Sequence, residues 1–257
     1  MHKIGIISII ILIIIIIIII FIIFLYRKKN QINNTILLQD NNDINVSKIP
    51  LSIILTEMKT GDLILFSGKG LFSNQIRSIT DSLYSHVGMV ISAPYFTNLD
   101  YFDNKPLLLH SALEGHKDIF GNDRFGVQIS DLKEYIQNYD GRVYWRRLIG
   151  ETEKGKEIIN NINYKLNVIY KVVKDKAYST DVRDFGKAAF KLNPFEENMN
   201  VDEFYCSSLM AYIYFLLGII EFDPRWGITY YSPKDFGEML IPGLTDDVSF
   251  GQVIRIK

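Results

Sequence analysis

Asp202-Glu-Phe-Tyr-Cys206-Ser-Ser-Leu-Met-Ala-Tyr-Ile-Tyr-Phe-Leu-Leu-Gly218 holds the only cysteine of the chain, and no residue from Leu209 to Leu217 is charged. Asp202 stands where a helix takes its N-cap, and Gly218 where it takes a left-handed terminator. A helix that is apolar all round is buried all round, so this one is expected to run through the core. Cys206 then falls about one turn inside the N-terminal end. There the helix dipole and the free N–H groups favour a thiolate and offer donors for an oxyanion. A lone cysteine on an apolar helix is more often a small buried hydrophobe. The chemical reading therefore requires a base from elsewhere in the chain.

Length and charge narrow the field. The chain has 257 residues, enough for one large or two small domains. Its net charge of −1 marks no nucleic-acid surface. One cysteine excludes an intramolecular disulfide and fits a reducing compartment or an active-site thiol. The histidines are scattered at His2, His86, His110 and His116, and no His-Glu-x-x-His occurs. Neither a structural zinc nor any cofactor is expected.

Ile4 to Leu25 is an almost unbroken apolar run, interrupted by Gly5 and Ser8, and long enough to cross a bilayer. Phe24-Leu-Tyr-Arg-Lys-Lys29 follows it rather than a small-x-small cleavage site, so an uncleaved single-pass transmembrane helix over residues 4–26 is expected. Lys3 lies before the run, and Arg27, Lys28 and Lys29 lie after it, which places the C-terminal side in the cytoplasm. Residues 27–50 read as a polar tether and residues 51–257 as the folded domain.

Within that domain, Lys59-Thr-Gly-Asp62 is a turn and Leu63-Ile-Leu-Phe66 a buried strand. Val87, Met89 and Ile91 alternate with His86, Gly88 and Val90, which is strand periodicity. Gly88 shares a face with His86, as where another backbone or a ligand comes close. In Pro106-Leu-Leu-Leu-His110-Ser, Leu108 and His110 share one face. If the two strands pair as a long-loop hairpin, His110 sits beside His86. Ser130 is expected to cap a helix over Leu132–Tyr139, and Ser232 another with Pro233 at its first position. Arg142–Leu148 alternates as a strand ending in solvated Arg146 and Arg147. Glu151–Val173 is helical, and Val248–Ile256 closes the chain as a strand. The order predicts α+β rather than alternating α/β.

Gly61-Asp62-Leu-Ile-Leu-Phe66, Tyr84-Ser-His86-Val-Gly-Met-Val90, Phe204-Tyr-Cys206-Ser-Ser-Leu and Ser232-Pro-Lys-Asp-Phe236 together resemble the permuted papain-like cysteine hydrolases of the NlpC/P60 superfamily, found in bacteria and large DNA viruses. The similarity covers about residues 55 to 240. In the permuted members the histidine strand precedes the cysteine helix, as here. The resemblance implies a circularly permuted papain-like fold, an antiparallel sheet or barrel packed on a buried nucleophile helix, behind the transmembrane helix.

It also implies roles. Cys206 would be the nucleophile and His86 the base, with His110 at the third polar position, where many relatives have an acidic residue. Glu114, in Leu113-Glu-Gly, competes for that third place. A neutral His110 can orient His86 but stabilises an imidazolium less than a carboxylate does. The implied reaction is acyl transfer through a Cys206 acyl-enzyme, on a peptide, isopeptide or lipid-acyl amide or ester. Two alternatives stand beside it: a catalytically silent membrane-anchored binding protein, and a lipid acyltransferase like the lecithin:retinol acyltransferase group. That group has Asn-Cys-Glu at the nucleophile, against Tyr205-Cys206-Ser207 here.

Overall fold

Leu63, Ile64, Leu65 and Phe66 are all fully buried, which requires a strand covered on both faces. The computed structural model describes residues 17–23, 26–27, 30, 46–92, 105–180, 188, 202–221, 227–239 and 241–257, with backbone alone at 114–116. In chain order the domain comprises α1 (Leu51–Ile54), β1 (Leu63–Gly68), α2 (Leu71–Thr80), β2 (His86–Ser92), β3 (Pro106–Lys117), β4 (Asp123–Asp131) and α3 (Leu132–Asn138). There follow β5 (Gly141–Arg146), β6 (Leu148–Gly150), α4 (Glu153–Asn160), α5 (Ile162–Val173), α6 (Cys206–Leu217), a 3-10 turn (Ile228–Tyr230), α7 (Pro233–Gly237), β7 (Val248–Phe250) and β8 (Ile254–Arg255).

The strands form a six-stranded sheet in the order β4-β3-β2-β1-β5-β8, antiparallel throughout, and β6 and β7 form a separate two-stranded ribbon. Strand alternation divides the core between the two faces. Leu63, Leu65, Val87, Met89, Leu109 and Ile129 pack with α5 and α6. Ile64, Phe66, Val90, Leu108, Val143 and Trp145 pack with α1 and α3. Helix α6 is the buried element that its lack of charge predicts, with Leu209, Met210, Ala211, Ile213 and Tyr214 inaccessible. Gly218 ends it in the left-handed conformation at φ 77°.

Several expectations need correction. The sheet is open, with β4 and β8 at its edges, and is not a closed barrel. Among the described residues no helix is long and apolar enough to cross a membrane. Within the expected span, residues 17–23 are helical. Residues 4–16 and 24–25 of the expected span, and 28–29 and 31–45 of the expected tether, lie outside the described residues. The last residues of that tether belong to the fold: Lys48 bridges to Arg255, and the Ile49 N–H donates to the Arg255 carbonyl at 2.9 Å.

Asp202 does not cap α6. The helix begins at Cys206 with Tyr205 as its N-cap, and Asp202 pairs with Lys176 at 2.8 Å instead. Arg146 is not solvated but buried: its guanidinium donates to the carbonyls of Gly251, Phe236 and Glu238 at 2.8, 2.8 and 2.6 Å. The closing segment is two short strands in different sheets rather than one. Asp62 anchors the turn into β1. It is buried and accepts from the Lys59 N–H at 3.0 Å, the Trp145 indole N–H at 2.8 Å and the Leu148 N–H at 3.0 Å.

Candidate active site

Two histidines from neighbouring strands meet as the alternation predicts. β2 and β3 pair antiparallel from Met89↔Leu109 to Ser92↔Pro106. This register carries His86 and His110 to the same face, and His86 Nε2 lies 3.0 Å from His110 Nδ1. Gly88 makes the approach possible, because a Cβ there would stand 2.7 Å from Leu108 Cδ1 and 3.1 Å from His110 Cβ. Aromatic rings wall the pair. Phe66 lies 5.2 Å from His86 between centroids, and Tyr135 meets His110 edge-on at 4.8 Å.

The chain of contacts continues past His110. His110 Nε2 lies 3.1 Å from Ser130 Oγ, so both His110 nitrogens are occupied. Ser130 is therefore not the expected helix cap. Asp131 caps α3, accepting from the Glu134 N–H at 2.8 Å. Glu114, the competitor for the third position, lies on β3 within the register shift between Ala112 and His116, and its side chain lies outside the described residues.

Cys206 is the first residue of α6 and is buried with the core on the other face of the sheet, beside Val87 and Met89. The start of α6 is fixed by several bonds. The Ser111 hydroxyl donates to the Phe204 carbonyl at 2.5 Å, and the Ser207 hydroxyl to the Tyr231 carbonyl at 2.8 Å. The backbone of Val87 and of Ser207 acts on the Cys206 sulfur in the direction of a lower pKa. The Val87 N–H is open to it because the β2–β3 ladder begins only at Met89. Cys206 and Val87, the residue after His86, belong to one core cluster. Among the described residues no hydrogen bond joins Cys206 to His86. The His86 nitrogen left over by His110 is Nδ1.

The electrostatics reverse one expectation. Burial pushes the Cys206 thiol up to about 11, against the backbone and Ser207 hydrogen bonds that lower it. Desolvation outweighs the helix end, so the resting sulfur is a neutral thiol rather than a thiolate. Burial likewise holds His86 down, to about 4. The resting pair is neutral on both sides. Tyr178, which no sequence pattern marked, is buried nearby. Burial and the charge of a Cys206 thiolate both raise its phenol.

The His86 shift has a consequence for stability. A base whose folded pKa is depressed leaves the unfolded chain binding the extra proton, so stability falls as pH drops from about 6.5 towards about 4. Because His86 keeps part of its surface in solvent, the expected loss is about 2 kcal/mol. Urea unfolding at pH 7 and pH 4.5 checks it: His86→Gln should lose less on acidification than the unaltered chain. Equal losses would place the acid sensitivity elsewhere.

A cavity of about 750 Å³ is lined by Gly68, Gly70, Ser130, Tyr135 and Tyr139 among others, and so opens at the outer end of the histidine pair; Cys206 is not on its wall. Among the described residues no group of three His, Cys, Asp or Glu side chains is gathered as a metal would need.

No protein-family model matches the chain, and no curated protein does. Among solved structures, one similar to part of it is that of the metalloprotein yiiX from Escherichia coli O157:H7, DUF1105. The identity is 24%, over 64% of this chain and 70% of that one, with a TM-score of 0.39. A likeness at that score carries no argument about this chain's chemistry. The fold expectation is nonetheless corrected. The architecture is α+β with an open antiparallel sheet, no described helix is long and apolar enough to cross a membrane, and no family model matches the chain. The circularly permuted papain-like fold is withdrawn.

Proposed function

We propose that the protein is a thiol hydrolase that cleaves an amide or ester through a Cys206 acyl-enzyme, with His86 as base and His110 as its orienting partner. The observation that carries this reading is the 3.0 Å bond between His86 Nε2 and His110 Nδ1, made one residue before Val87, which shares a core cluster with Cys206. That bond leaves His86 Nδ1 for the thiol.

Because both groups rest neutral, the thiol is activated during attack rather than before it. His86 Nδ1 takes the Sγ proton as sulfur bonds to the substrate carbonyl carbon. Backbone N–H groups at the start of α6 stabilise the oxyanion. The same proton then passes from His86 to the departing nitrogen or oxygen as that bond breaks. Water, deprotonated by His86, cleaves the thioester and restores the thiol.

Iodoacetamide alkylation of Cys206 across pH tests the pairing. With His86 in place, a pH-independent component is expected near neutrality. His86→Ala should lower the rate at pH 7 by about 10²-fold, and the two proteins should converge towards pH 11. A rate indifferent to His86 throughout would overturn the hydrolase reading in favour of a binding protein. Product analysis would distinguish hydrolysis, which gives free acid, from transfer to a second acceptor.

A further inference from the structure

His110 does not end the chain of polar contacts that begins at His86. The residue directly across β4 from it is Gln128. The amide nitrogen and oxygen of Gln128 are buried and make no hydrogen bond. The partner His110 has taken is Ser130, two residues along the same face, at 3.1 Å from Nε2. Ser130 is buried, yet it lines the cavity of about 750 Å³. Its hydroxyl proton can point into that space while a lone pair faces His110.

We propose that Ser130 is a positioning residue, accepting the His110 Nε2–H so that His110 Nδ1 stays bare and His86 keeps the tautomer whose Nδ1 can receive the Cys206 proton. The inference rests on the thiol-hydrolase reading for its functional meaning. The logic is one of alternation. A neutral imidazole carries one N–H and one acceptor nitrogen. If His110 gives Nε2–H to Ser130, its Nδ1 must accept from His86 Nε2–H, and His86 Nδ1 is then a base. If Ser130 instead donates, every proton in the row shifts by one place, and His86 presents Nδ1–H to the thiol. A proton so placed cannot be replaced by the one on sulfur. Ser130 therefore acts through two imidazoles, without touching the reacting atoms.

Ser130→Ala removes the acceptor and should let His110 move its proton to Nδ1, which forces Nδ1–H on His86. Long-range ¹H–¹⁵N spectra of the histidine-labelled full chain read this directly, with His86→Gln and His110→Gln supplying the assignments. In the unaltered protein both imidazoles are expected as Nε2–H. In Ser130→Ala a substantial Nδ1–H fraction should appear on both, and Ser130→Thr should restore the first pattern. Cys206 alkylation at pH 7 should slow by about tenfold in Ser130→Ala and recover in Ser130→Thr. Unchanged tautomers in Ser130→Ala, or Nδ1–H on His86 from the outset, would overturn the proposal. Spectra that respond to Ser130 while Cys206 ignores His86 would uphold the tautomer assignment and sink the hydrolase reading alone.

Discussion

Asp62→Ala is expected to lower the free energy of unfolding by about 3–5 kcal/mol, a large share of the stability a domain has to spare. Asp62 is buried where three elements meet, and its two oxygens accept from the Lys59 N–H, the Trp145 indole and the Leu148 N–H. Alanine leaves all three donors without a partner in a space closed to water, at about 1–3 kcal/mol each. Against that loss stands a gain. Burial raises the Asp62 pKa, and the three donors offset this only in part. Ionised Asp62 therefore costs stability as pH rises from the unfolded value of 3.8 through the folded one. Removing the carboxyl recovers that cost but not the donors, so the donors decide the sign. Asp62→Asn keeps one acceptor oxygen and should cost clearly less than alanine. Urea unfolding at pH 7 measures both, and a change below about 1 kcal/mol in Asp62→Ala would mean that water replaces the carboxylate.

The parts of the fold that sequence reveals are those set by local pattern. Helix α6 announces itself because nine successive uncharged residues from Leu209 to Leu217 fit only a buried helix, and Gly218 supplies its terminator. The meeting of His86 and His110 is legible because strand alternation and one hairpin suffice to produce it. What escapes is decided by distant partners. Ser130 and Asp131 are equally good caps by composition. The imidazole of His110, twenty residues earlier, takes Ser130 and leaves the cap to Asp131. Arg146 reads as a solvated strand end. The carbonyls that bury it come from Phe236, Glu238 and Gly251, about ninety residues or more away. The thiol follows the same rule. The helix end that favours a thiolate is local, and the desolvation that overrides it comes from the packing of the whole core.

Cys206→Ala is expected to bring hydrolysis of a p-nitrophenyl acyl ester down to the uncatalysed background, and His86→Ala to lower kcat by about 10³-fold. The two act on one proton and one bond, so their effects should not add. The double variant should be no slower than Cys206→Ala alone. The pH profile carries the finer prediction, because a base near 4 and a thiol near 11 bracket a wide neutral range. As pH rises through about 4, His86 loses its proton and becomes able to accept the one on sulfur, so kcat/KM should climb there and then hold level towards about 11. A preformed thiolate–imidazolium pair would behave otherwise, since its activity falls where the imidazolium loses its proton. In His86→Ala the level range should vanish, leaving a rate that rises tenfold per pH unit as free thiolate accumulates. Turnover that persists in Cys206→Ala would remove sulfur from the mechanism. A bell centred near neutrality would show instead that substrate or solvent charges the pair, and that burial in the resting protein does not set the protonation state in which the chemistry occurs.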